Sequence, residues 1–505
     1  MTAAGPSDPL ELSDQRELGL ADFLRAMVHA APIAIETATL GRMDAAFEAA
    51  KREAARADVY GFSTGLGPMV TVAVPPEAAL DLQYNLIRSH AAGMGEPLSV
   101  ELSRGVMLGR LRSLVGNRSA VRGEVAIHLA RLFNAGLAPF IPRKGGVGAS
   151  GDLVQLAHLG LLVIGEGQCW FKDQKRSAPE AYRLAGLEPL RLEFRDGLAL
   201  VNGTSAMTAM GAQACAYARR LLDCAVAQSC ILIEILGASM EPYAAALHDA
   251  KRHEAQSDVA RRMRDHLADA DGLASSRAPT QLQAPYSVRC APQILGPIYE
   301  GLAFAERAIA DELNSVSDNP VFDAQTGAAL HGGNFHGEPV ALALDVLKIA
   351  VVKCSLLMER QLNLLLNDAI NGQLPPFLNL GRIGVELGLQ GAQFTATSTA
   401  AENQSLAYPM SLHTIPSNKD NQDIVSMGAN AAWMVLQTLG NAFDIAAILA
   451  VALSQGVEAA GAEARLSSRS RALIERRRAI APVFRSDAAL SERLAAMSQM
   501  LKEER

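Results

Sequence analysis

Residues 145–151 read Gly-Gly-Val-Gly-Ala-Ser-Gly, and a hydroxyl flanked by residues with almost no side chain invites three chemistries. Gly146, Gly148 and Gly151 satisfy the GxGxxG spacing of a dinucleotide-binding turn. That turn must follow a strand within a βαβ unit, whereas the preceding NAGLAPFIPRK, with Gly136 and Pro142, makes a poor strand. A nucleophile elbow, GxSxG, needs glycine where the chain has Asp152. The third chemistry is intramolecular: with Ala149 and Gly151 on either side, no side chain stops the Gly151 nitrogen from folding back onto the Ala149 carbonyl. Loss of one water from that ring and a second from Ser150 gives a five-membered ring with an exocyclic methylene, an electrophile no standard side chain supplies. Taken alone, the tripeptide is a common string and reads more readily as a glycine-rich turn before a helix.

Four other polar loops share its character: 60–68 (YGFSTGLGP), 202–205 (NGTS), 331–338 (HGGNFHGE) and 416–423 (PSNKDNQD). Glycine there permits positive φ and close approach of a ligand. Five such loops in one chain predict convergence on a single site. His331, His336 and Glu338 have the composition of a metal cluster but not a zinc spacing, and Gly-Gly-Asn between them favours a turn, so no metal is expected. Lys144 lacks the GK[ST] ending of a phosphate loop, so no nucleotide is expected either.

The loops cut between helical segments. Ala, Leu, Arg and Glu recur with helical periodicity over 41–57, 76–94, 119–135, 204–236, 291–315, 337–369, 385–407 and 425–457. Several exceed 25 residues, a length expected in a bundle whose neighbours, including other subunits, bury more than one face. The expected fold is mainly α, with an N-terminal domain at 1–205 carrying the loops at 60 and 150, a long-helix bundle at 206–465 and a helical segment at 466–505.

Composition bounds the function. Of 505 residues 49% are hydrophobic and 20% charged, ample for a core. A net charge of −7, with no basic stripe, excludes the electrostatics of nucleic-acid binding. The six cysteines form no CxxC and sit mostly in apolar stretches, as reduced core thiols do. The N-terminal stretch lacks the features of a signal peptide, and the apolar run Ile445 to Leu453 is far shorter than the ~20 residues of a membrane span. A cytoplasmic protein without membrane contact is expected.

The motifs together resemble one family. GGVGASGDLVQLAHLGLLVIGEG (145–167) is similar to the prosthetic-group loop of the histidine, phenylalanine and tyrosine ammonia-lyases, which form 4-methylidene-imidazole-5-one from Ala-Ser-Gly. The resemblance continues in order through YGFSTGLG (60–67), LQYNLIRSHAAGMG (82–95), LVNGTSA around Asn202, QAPYSVRCAPQ (283–293), NSVSDNP (314–320), HGGNFHGEP, QLPPFL (373–378) and NQD (421–423). It implies the long central helical bundle of those lyases with a smaller mixed N-terminal domain, and a homotetramer whose sites are shared between subunits.

Elimination of ammonia removes a barely acidic β-proton and expels a poor leaving group, so it needs a base and an electron sink. By resemblance the sink is the ring from Ala149, Ser150 and Gly151, and the base is Tyr60, whose ordinary pKa of ~10 requires dipoles such as those of the loop holding Gly67 to favour the phenolate. Arg289 is implied to hold the substrate carboxylate, Asn202 and Gln283 to orient carboxylate and ring, Tyr286 to carry a proton, and Phe335 to line the pocket. The substrate side chain is read by two places that disagree. Ser89-His90 resembles the pair of histidine lyases, and tyrosine aminomutases also place histidine there. Gln422 stands where histidine lyases carry glutamate, and resembles the phenylalanine and tyrosine enzymes. A carboxylate would suit an imidazole ring, and its loss weakens the histidine reading. His90 can bond a phenol, and a bare phenyl ring leaves it unpaired at about 1–3 kcal/mol, so tyrosine is favoured. Lys419 departs from the family pattern and selects an unusual substrate if it faces the pocket. A 2,3-aminomutase would share every residue named; an inactive scaffold would be expected to have lost Tyr60, Ser150 or Arg289.

Overall fold

The structure, a computed structural model, describes residues 8–273, 283–323 and 326–504. It is mainly helical, and the periodic segments of the sequence become helices Thr37–Ala54, Ala79–His90, Gly123–Asn134, Ser205–Leu236, Ala291–Leu313, Glu338–Leu366, Gln390–Leu406 and Gly428–Ala459. Two compact units form, each from three segments: Met1–Gln213, Ala305–Asp345 and Pro409–Trp433 in the first, Ala214–Phe304, Val346–Tyr408 and Met434–Arg505 in the second.

The first unit is mixed. Leu10–Leu12 and Ile33–Ile35 pair in parallel, and Leu137–Pro139, Gln168–Phe171 and Gln174–Ser177 form a three-stranded antiparallel sheet. Its central helix, Val100–Val115, is buried at every position from Leu102 to Val115 except Arg104. A helix covered all round has no polar stripe to give it periodicity, and its fully buried Arg110 is satisfied internally, donating from Nε to the Ala199 carbonyl (2.7 Å) and from Nη1 to that of Ser317 (3.0 Å).

In the second unit the elements among the described residues are helices. Gly428–Ala459 is long and apolar enough to cross a membrane by composition, yet 67% of its most apolar window is buried inside the chain, as in a core helix. Gln390–Leu406 buries only a seam of Ala392, Ala396, Ala400 and Asn403, spaced for one narrow face. Val346 and Ile349 on Glu338–Leu366 and Phe394 on Gln390–Leu406 remain 37%, 48% and 65% exposed.

Candidate active site

The tripeptide lies where helix Ser205–Leu236 begins. Gly151 forms a parallel bridge with Gly203, and the Asp152 N–H donates to the Gly203 carbonyl at 2.6 Å. The Asp152 carboxylate turns to the helix start and accepts from the amides of Ala206 and Met207, both at 2.8 Å, a cap supplied from far along the chain. Burial raises this carboxyl to about 7 against the lowering by those two amides. A Cβ on Gly151, whose φ is +65°, would stand 2.0 Å from the Gly203 oxygen, and one on Gly148 2.0 Å from Ser426 Oγ. Ala149 is buried against Val425 and Met427. Gly148 and Gly151 thus have no room for a side chain, and Ala149, Ser150 and Gly151 suit the internal cyclisation that 4-methylidene-imidazole-5-one requires.

The tyrosine loop is pinned by helix Ala79–His90. Buried Gln83 donates to the Gly61 carbonyl (2.8 Å) and accepts from the Leu198 N–H (3.0 Å). The Tyr60 N–H donates to His331 Nε2 at 3.3 Å, so His331 serves as a strut in the turn its glycines suggested. The Gly67 N–H donates to the Tyr60 hydroxyl oxygen at 2.8 Å, which places a backbone dipole on the oxygen that would carry charge. A side chain at Gly67 would meet the Asn418 amide at 2.6 Å.

These loops enclose a cavity of about 770 Å³ within the first unit, lined by Tyr60, Gly67, His90, Ala149, Ser150, Asn202, Phe335, Asn418 and Gln422. His90 ends its helix, with Nδ1 3.0 Å from the Leu86 carbonyl and 3.0 Å from Ser89 Oγ. The carbonyl can only accept, so Nδ1 carries the hydrogen and Nε2 of the neutral ring is an acceptor. Ser89 is therefore a support for His90 rather than a lining residue. Gln422 lies between two hydroxyls: Ser417 Oγ donates to its Oε1 (2.9 Å), and its Nε2 donates to Ser150 Oγ (3.2 Å). Lys419 is exposed and outside the lining, within the turn Asn418-Lys419-Asp420, where φ is +53°, +53° and +59°.

Gln283, Tyr286 and Arg289 belong to the second unit. Tyr286 is 68% exposed, the Arg289 guanidinium lies 4.5 Å from its ring centroid, and Arg289 Nε donates to the Ala284 carbonyl at 3.0 Å. Sequence reasoning did not single out Gln83, Ser417 or Asp318, although each lies in or beside a quoted motif. A lone glutamine, serine or aspartate gives no signal until its partner is known. Among the described residues no cluster of His, Cys, Asp or Glu is arranged to hold a metal.

The family model for aromatic amino acid lyase matches residues 18–479. A tyrosine 2,3-aminomutase from Myxococcus sp. is 39% identical, the match covering 93% of this chain and 95% of the relative. A histidine ammonia-lyase from Geobacillus kaustophilus is 37% identical over 88% of each. The crystal structure of a tyrosine aminomutase from Streptomyces globisporus superposes with a TM-score of 0.93 at 33% identity, covering 98% of this chain and 97% of the other. The chain belongs to the aromatic amino acid lyases, enzymes that break a carbon–nitrogen bond.

Proposed function

We propose that the protein eliminates ammonia from L-tyrosine to give p-coumarate, using 4-methylidene-imidazole-5-one formed from Ala149, Ser150 and Gly151. The observation that carries the substrate is His90. With Nδ1–H committed to the Leu86 carbonyl, Nε2 is a ready acceptor for a phenol, which donates. An imidazole substrate is better served by a carboxylate, and this chain has the neutral Gln422 at that place. The prosthetic ring, once formed, supplies the electrophile that makes the amino group a leaving group or the β-proton removable. Tyr60 takes the β-proton at its phenolic oxygen, which the Gly67 N–H helps to stabilise as an anion. Phe335 and Leu86 give the ring apolar walls. Arg289 grips the carboxylate with its planar fork, and Gln283 and Tyr286 act beside it. These three reach the cavity from a neighbouring copy in a homotetramer, a reading supported by the exposed apolar residues Val346, Ile349 and Phe394. A soluble, cytoplasmic setting agrees with free thiols at all six cysteines.

The test is incubation with tyrosine, histidine and phenylalanine in turn, following released ammonia and conjugated-acid absorbance, with Ser150→Ala as control. Coumarate that disappears in Ser150→Ala supports the proposal. An intact mass without the loss of two waters overturns the prosthetic group; urocanate or cinnamate in place of coumarate overturns the substrate. A second reading, 2,3-aminomutase, is favoured by the relatives at 38–39% identity that carry that name. It differs only in returning the ammonia to the β-carbon, and β-tyrosine among the products identifies it.

A further inference from the structure

Asn202 is held by groups that the reaction as described does not use. Its Nδ2 lies 3.3 Å from Asp318 Oδ1 and 3.1 Å from the Asn319 carbonyl. Both neighbours can only accept, so the NH2 must face them, and the opposite orientation of the amide would set its oxygen against theirs. Oδ1 is left buried without a protein partner on a residue that lines the cavity. A buried acceptor in that condition is costly unless a donor reaches it.

The orientation is enforced from behind. The Asp318 carboxylate is wholly buried and receives two hydrogen bonds from Arg195, Nη1 to Oδ2 at 2.9 Å and Nη2 to Oδ1 at 3.0 Å. It also accepts the Asn319 N–H at 2.7 Å, and Arg110 Nη2 stands 3.9 Å away. A carboxylate gripped on both oxygens by a planar fork cannot rotate away from Asn202. Asn319 itself lines the cavity, and its Oδ1 accepts the Gly332 N–H at 2.9 Å. The rear support of Asn202 is thereby tied to the turn whose His331 accepts from the Tyr60 N–H.

We propose that Asp318 is a positioning residue of the reaction. It acts through Asn202, committing the amide's NH2 inward and leaving Oδ1 as an acceptor for a donor hydrogen of the bound amino acid. The proposal rests on reading this cavity as the place where the amino acid reacts.

A double-mutant cycle tests it. Steady-state kcat and KM, the thermal midpoint and the intact mass are measured for Asn202→Ala, Asp318→Asn and the pair. An amide at 318 presents a donor to either Arg195 or Asn202 where the carboxylate presents an acceptor. Asp318→Asn is expected to lower kcat by about tenfold or more, and Asn202→Ala by about a hundredfold or more. The pair should be no slower than Asn202→Ala alone, because Asp318 has nothing left to position. Losses that multiply, or an Asp318→Asn enzyme with wild-type kcat, overturn the proposal. A purely structural Asp318 would lower the thermal midpoint without this non-additivity in kcat. Should Asp318→Asn not fold, Arg195→Lys replaces it in the cycle, since it keeps the charge and removes the two-pronged grip; the same outcomes decide. Wild-type protein inactive on tyrosine but active on histidine or phenylalanine would refute the substrate assignment alone, and the cycle is then run on that substrate. The coupling in thermal midpoint reads the contact independently of any reaction.

Discussion

An imidazole and an amide in the cavity, His90 and Asn202, have ambiguous faces, and in both the ambiguity is resolved by a neighbour that can only accept. The Leu86 carbonyl fixes the hydrogen of His90 on Nδ1, and Asp318 commits Asn202 Nδ2. Specificity at this scale comes from unpaired groups: a site built to bond a hydroxyl rejects a substrate lacking it. His90→Phe removes the acceptor and leaves a phenol unpaired, at about 1–3 kcal/mol. The expected result is a fall in kcat/KM for tyrosine of about 5- to 150-fold with a gain for phenylalanine, by the usual conversion of about 1.4 kcal/mol per factor of ten. Unchanged discrimination between the two would remove His90 from the recognition of the ring. At this scale the sequence was legible where a residue sits inside a distinctive motif, as Ser150 does in GGVGASG and Tyr60 in YGFSTGLG, and both residues line the cavity. It was silent on Gln83 and Asp318, because a polar side chain is recognised by the distant group it meets, here the Gly61 carbonyl and the Asn202 amide.

At the scale of elements, long amphipathic or apolar helices were readable from periodicity, and Ser205–Leu236 and Glu338–Leu366 fall within a few residues of their expected spans. Helix Val100–Val115 was not, since burial on every side removes the period; nor were strands of three or four residues, which are too short for alternation to register. The start of Ser205–Leu236 joins element to site, because Asp152 caps it from the residue after the triad. The cap is costly when charged: burial holds the carboxyl at about 7 in the folded state, against ~3.9 for a free aspartate. A folded pKa above the unfolded one means a contribution fully present below about pH 4 and lost as pH rises towards 7. Asp152→Asn keeps an oxygen for both amides and carries no charge. Its thermal midpoint relative to wild type should therefore rise between pH 5 and pH 8. A difference that is flat across that range would show that the carboxyl is not titrating there.

For the whole molecule, the proposed sharing of the site between copies raises the question of which chain would supply each group. Tyr60, Ser150 and Asn202 line a cavity in the first unit, whereas Gln283, Tyr286 and Arg289 belong to the second. Closed symmetric oligomers repeat one interface, so any residue shared across it is shared at every site. The apolar positions left open on helices Glu338–Leu366 and Gln390–Leu406 are a surface that association would cover. Complementation makes this a kinetic question. Ser150→Ala and Arg289→Ala are each expected to be inactive as homo-oligomers. When the two are co-expressed, a site drawing its Ser150 loop from one chain and its arginine from another finds both intact in about a quarter of cases by random assembly. Recovery of about a quarter of wild-type activity therefore places the two residues on different chains at one site. If serine and arginine of one site came from the same chain, no mixture would ever bring two intact residues together, and the co-expressed protein would stay as inactive as its parents.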